Sequence, residues 1–214
     1  MSNYKLMKSI MYHYVQEYNK EFKYLNYLSI KNFEKQILYF KKKFIFFNVK
    51  DLFLKKKYDK KHIFLTFDDG LKCHFKYVTK ILKKYNLNGI FFVPALNYKR
   101  KIILDVHRIQ ILLSKFGSQK LLSRMEKLEI NRYINIKDAK KFEQHFYKNQ
   151  KNKNNFVKTK KILNFYLDVN KKNFFISKLF YSFFSRNMEK KIFSKFYLSL
   201  NDLKKMKKAG MIIG

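Results

Sequence analysis

At 214 residues and 26.4 kDa the chain is long enough for one domain with a real core and an appended segment. Hydrophobic residues make up 47%, which excludes disorder as the default state despite a formal net charge of +34. A single cysteine, Cys73, excludes an intramolecular disulfide framework and a cysteine-based zinc site, and reads as a small core residue.

The charge points first to nucleic acid or an anionic membrane as partner. Only five of the 49 basic residues are arginine (Arg100, Arg108, Arg124, Arg132 and Arg186), however, and readers of phosphate and base edges favour arginine for its bidentate fork. Lysine, asparagine, isoleucine, phenylalanine and tyrosine dominate together, tryptophan is absent and proline occurs once. That pattern fits a whole-sequence bias, as from an A/T-rich coding sequence, better than selection for one basic surface. No nucleic-acid partner is therefore expected, and a basic nucleic-acid-binding protein ranks third among the readings weighed below.

The stretch from Met1 to Val15 has no continuous apolar run and no small-residue cleavage site, so no secretory signal is expected. No run approaches the roughly 18–20 apolar residues that a spanning helix needs. The expected location is cytoplasmic, with a membrane-peripheral position as the alternative.

Residues 10–15, rich in aromatic and branched side chains, predict the first strand. His13 within it reads as a strand-end or core histidine in preference to a metal ligand. Ser29 is an N-cap candidate for an amphipathic helix carrying Phe33, Ile37 and Phe40, with lysines 41–43 suiting its C-terminal dipole. Residues 44–49 predict a short strand, 49–53 a turn or short helix, and the lysines between 55 and 61 a solvated loop.

The central element is Ile63-Phe64-Leu65-Thr66-Phe67-Asp68-Asp69-Gly70. Its apolar run predicts a strand over 62–67 buried on both faces, stopped by a turn-forming glycine. Side-chain alternation would send Asp68 and Asp69 in different directions, so that one carboxylate could bind a metal while its neighbour handles a proton. The plainer alternative is an Asp-Asp-Gly turn that caps the next helix. That helix carries Leu71, Phe75, Val78, Leu82 and Tyr85 on one face, and residues 89–93 form the following strand, stopped by Pro94. Strand, helix and strand within about thirty residues is a βαβ unit, which predicts parallel strands. Neither GxGxxG nor GxxxxGK[ST] is present, so the usual phosphate cradles are excluded.

From 97 to 198 helical spacing prevails, interrupted by the polar run at 149–155. Between residues 140 and 175 ten lysines stand against two acids, Glu143 and Asp168. This predicts a basic helical insertion within a single incomplete catalytic domain spanning 1–214. Its aromatics Phe174, Phe175, Phe180, Phe183 and Phe184 and its Leu179 are read first as packing against the barrel and one another. A sharper reading docks them on an anionic membrane surface where lipid-linked glycans of the cell envelope present their sugars. Leu203, Met206 and Ala209 mark a last helix stopped by Gly210, and 211–213 begin another strand.

Thr66-Phe67-Asp68-Asp69-Gly70 at a strand end closely resembles the first motif of the polysaccharide deacetylases, the NodB-homology carbohydrate esterases; the Tyr12-His13 pair adds modest weight. The resemblance covers about residues 9–96 and 198–214. It implies an α/β fold, a partial distorted (β/α) barrel with a large helical insertion, and hydrolysis of N-acetyl groups on carbohydrate. By the resemblance, Asp68 is the catalytic base and Asp69 a ligand of a divalent metal, most often zinc. The family's second motif would supply two histidines, a few residues apart, directly after a strand ending in glycine. The chain stops at Gly214, and no two of His13, His62, His74, His107 and His145 have that spacing. The expected reading is the front portion of such an enzyme, cut before its second motif and inactive as it stands. The alternative is a non-catalytic glycan- or membrane-surface-binding protein on the same scaffold.

Overall fold

The computed structural model describes residues 7–22, 25–48, 61–135 and 155–214. It forms two compact units, one drawn from 1–18, 26–100 and 192–214, the other from 19–25 and 101–191. The expectations for 49–53, for lysines 55–60 and for the polar run up to 154 lie outside the described residues.

The first unit is an α/β unit around a wholly parallel sheet. Strand β3 (His62–Phe67) is its centre, with β1 (Lys8–Tyr12) along one side. Along the other side lie β2 (Ile45–Phe46) beside the start of β3 and β4 (Ile90–Phe91) beside its end; β5 (Ile212–Ile213) follows β4. The parallel α/β character read from the βαβ pattern is what the chain adopts. Two strands are shorter than expected. The first begins at Lys8 and ends at Tyr12, not at 10–15, and Val15 instead makes an isolated bridge with Leu28. The fourth is reduced to Ile90–Phe91, although Phe92 still donates its N–H to the Phe67 carbonyl at 2.9 Å.

The register aligns Tyr12, Phe67, Phe91 and Ile213 in one row across the sheet. Their rings stack accordingly, Tyr12 on Phe67 at 5.5 Å and Phe67 on Phe91 at 4.6 Å, with Phe33 edge-on to Tyr12 at 5.0 Å. Phe33 and Ile37 come from helix α1 (Ile30–Lys43), one turn apart on its inward face. The Asn32 N–H donates to Ser29 Oγ at 3.2 Å, so Ser29 is the cap its residue type suggests. After β3 the chain winds through a π-helical turn (His74–Val78) into α2 (Thr79–Lys84). A short α3 (Ala95–Arg100) follows β4.

The second unit contains α4 (Asp105–Lys127), which Gly117 breaks into two stretches, together with α5 (Asn155–Lys161) and α6 (Val169–Tyr181). Helix α7 (Arg186–Phe196) starts in this unit. Phe175, Leu179, Phe180 and Phe184 are buried here, with Phe180 on Phe184 at 4.8 Å, while Phe174 is exposed. The aromatics thus pack largely against one another, which favours the plainer of the two readings of this segment. Arg108 and Glu189, each about 3% exposed, pair at 2.7 Å at the centre of a buried network. Tyr181 donates to Glu189 at 2.6 Å, and Arg108 also donates to Ser177 and Asp105.

Returning to the first unit, α8 (Leu200–Lys208) opens with a capping box between Ser199 and Asp202 and leads into β5. Ala209 is its C-cap, and Gly210 follows at φ +87°, a left-handed position that costs glycine little. Among the described residues, no helix is long and apolar enough to cross a membrane.

Candidate active site

The acid pair sits where β3 ends. Asp68 continues the ladder by one hydrogen bond, its N–H donating to the Tyr12 carbonyl at 3.1 Å. The next residue leaves the strand: Asp69 has φ +73° and Gly70 φ +60°. Strand alternation therefore does not separate the two carboxylates. Asp68 and Asp69 line the same open cavity of about 320 Å³, with Phe92, Val93, Pro94 and Gly214. A non-glycine residue held in the left-handed region is costly, by about 1–3 kcal/mol, and such strain gathers at functional sites.

The turn is held from below. The Gly70 carbonyl accepts from the Leu198 N–H at 2.9 Å and from the Tyr98 hydroxyl at 3.1 Å. A Cβ at position 70 would stand 3.0 Å from that hydroxyl and 3.3 Å from Val93. Glycine is required at this position by both its φ and its neighbours.

Because β1 pairs with β3 and stops at Tyr12, the next residue, His13, emerges beside the acids. Its Nδ1 lies 3.4 Å from Asp69 Oδ2, and its side chain is 45% exposed. The sequence places His13 in a strand; the structure puts it past the strand's end and against Asp69. The backbone of His13 is anchored by His74, which is fully buried, and whose Nε2 lies 2.7 Å from the His13 carbonyl. A carbonyl can only accept, so His74 Nε2 carries the proton. The His74 ring also packs edge-on against Phe67 at 5.6 Å and tilted against Phe91 at 5.7 Å.

Burial pushes the Asp68 carboxyl above the usual carboxylate range; the His13 ring pulls it down and the Asp69 charge adds to the rise. A carboxylate with a raised pKa beside a second acid is the arrangement used for general-base chemistry. Cys73 is buried and its thiol pushed up to about 12 by that burial, which fits the core role read from the sequence and rules out a reactive thiolate.

Residues 55–131 match the family model for polysaccharide deacetylase. The segment that carries the acid pair is thus similar to the polysaccharide deacetylases. No curated protein matches the chain. Among solved structures, IcaB from Ammonifex degensii is 24% identical over 41% of this chain and 37% of its own, with a TM-score of 0.35. The Streptococcus pyogenes deacetylase PplD is 17% identical over 50% of this chain and 52% of its own, at 0.38. The de-N-acetylase from Aggregatibacter actinomycetemcomitans is 19% identical over 41% and 37%, at 0.32. The chain thus spans about two fifths to half the length of these proteins.

The deacetylase-type segment can be tested for metal binding by its donors. A catalytic zinc takes three protein ligands and keeps one position open. Asp69 and His13 are two donors of the right type, but no group of three or more His, Cys, Asp or Glu placed to hold a metal ion occurs among the described residues. Those residues do not make up a full ligand set. His62 pairs with Ile45 at the far end of β3, and His107 is buried in the second unit.

Proposed function

We propose that the chain carries the acid-pair half of an N-deacetylase acting on N-acetylated carbohydrate, a hydrolase of carbon–nitrogen bonds other than peptide bonds. One observation carries this reading: Asp68 and Asp69, in a segment matched by the deacetylase family model, open together into one cavity at the carboxyl end of a parallel strand. That end of a parallel sheet is where α/β enzymes place their chemistry.

The roles follow from position and charge. Asp68 is the base: its raised pKa gives it the affinity to take a proton from water attacking the acetamide carbonyl. Asp69, with the His13 imidazole 3.4 Å away, supplies the donors on the metal side of the pair. Tyr98, Leu198 and His74 fix the turn and the His13 backbone, so these groups do not need to be organised afresh for each reaction.

In the resembled family a divalent metal activates the water and polarises the carbonyl. The described residues supply two donors in place of three, and turnover by the 214-residue polypeptide is expected to be negligible. The test is acetate release from N-acetylated chito-oligosaccharides in the presence of Zn²⁺, comparing the chain with Asp68→Asn. Both should remain at background; release that Asp68→Asn abolishes would show a complete site and overturn the half-site account. The same shortage of donors favours a second reading, a glycan-binding protein without catalysis. It would predict carbohydrate binding that is indifferent to Asp68→Asn.

A further inference from the structure

The parallel register places a third kind of group in the acid cavity. One residue beyond the Tyr12–Phe67–Phe91–Ile213 row stand His13, Asp68, Phe92 and Gly214. The backbone carries the ladder one step further, Asp68 N–H to Tyr12, Phe92 N–H to Phe67 and Gly214 N–H to Phe91, so Asp68 and Phe92 are neighbours across adjacent strands. Unlike Phe67 and Phe91, which are fully buried, Phe92 is 47% exposed, and it lines the cavity with both carboxylates. Its ring lies against Gly214, where an added Cβ would stand 3.2 Å from Phe92 Cδ1. A half-exposed aromatic that lines a cavity beside two acids is placed for contact with a ligand that has an apolar face and a polar rim.

We propose that Phe92 is a stacking platform for one pyranose ring of the substrate, setting which sugar face meets Asp68. The proposal rests on the carbohydrate reading above and deepens it. A pyranose has an apolar C–H face, which suits the electron-rich face of an aromatic ring, and a polar rim, which suits carboxylates one strand away. The cavity of about 320 Å³ lies at the lower end of the range for small-ligand sites, enough for a single sugar residue. No cation is needed for this contact, so it is testable without catalysis.

The probes are methyl N-acetyl-β-glucosaminide and methyl β-glucoside, which lacks the acetamide, each titrated into the full 214-residue chain by saturation-transfer NMR. Phe92→Ala should weaken binding of the acetamido sugar roughly tenfold, while Phe92→Tyr retains it. Thermal unfolding checks that Phe92→Ala is folded, as expected for a half-exposed side chain. Unchanged affinity in Phe92→Ala, or no binding of either sugar by the unsubstituted chain, overturns the platform. Phe92-dependent binding of both sugars with no preference for the acetamide would keep the platform while counting against the deacetylase reading. A preference for the acetamide that survives in Phe92→Ala at full affinity would do the reverse.

Discussion

Carboxylates in the two units meet opposite fates. In the second unit Glu189 is buried and fully engaged, accepting from Arg108, Tyr181 and the Ile103 N–H. In the first, Asp68 and Asp69 stay partly exposed on a strained turn, facing a cavity, with the His13 imidazole 3.4 Å from Asp69. The lesson is that an acid's surroundings, more than its type, divide structural from chemical roles. A buried ion pair holds a fold together only when complete, whereas an acid that keeps part of its surface in an open cavity is available to water and ligands.

The comparison breaks first on stability. Glu189→Ala should cost about 3–5 kcal/mol in chemical denaturation, because it strands the Arg108 guanidinium in the interior. Asp68→Asn should change stability by less than about 1 kcal/mol. Equal losses in the two variants would erase the distinction. A smaller effect follows from the turn itself. Gly70→Ala should cost about 1–3 kcal/mol, since its φ of +60° and the Tyr98 hydroxyl both resist a Cβ; a neutral result would show that the turn is not held as described.

The smallest effect is pH-dependent. Burial of Asp202 works to raise its pKa, but hydrogen bonds from Lys72 and Ser199 more than reverse this and leave it below the usual carboxylate value. A lowered folded pKa contributes stability that is present above the unfolded value of about 3.9 and is lost as the pH falls through the folded one. Asp202→Asn should therefore flatten the acid limb of the stability profile below about pH 4. An unchanged acid limb would mean that the Lys72 and Ser199 contacts contribute nothing.

Much of this was legible in the chain itself. The apolar run before Asp68 specified a buried strand, Ser29 and Gly210 marked helix ends, and Thr66 to Gly70 marked the acid pair. What was not legible depends on register between distant segments. His13 reaches Asp69 only because Tyr12 pairs with Phe67, 55 positions away, and because the strand ends one residue later. The expectation that Asp68 and Asp69 diverge assumed a continuing strand, whereas Asp69 adopts a left-handed conformation that no periodicity signals. Phe92 read as one more apolar strand residue, since its place across from Asp68 depends on the register of β4 against β3, which no periodicity signals.

The half-site account is tested most directly by calorimetric titration of the chain with Zn²⁺. Two donors, Asp69 and His13, predict weak binding, with Kd above about 1 µM, reduced further in both Asp69→Ala and His13→Ala. Submicromolar binding lost in Asp69→Ala would show that further ligands complete the site, and zinc binding unaffected by either substitution would remove the acid pair from the metal site altogether.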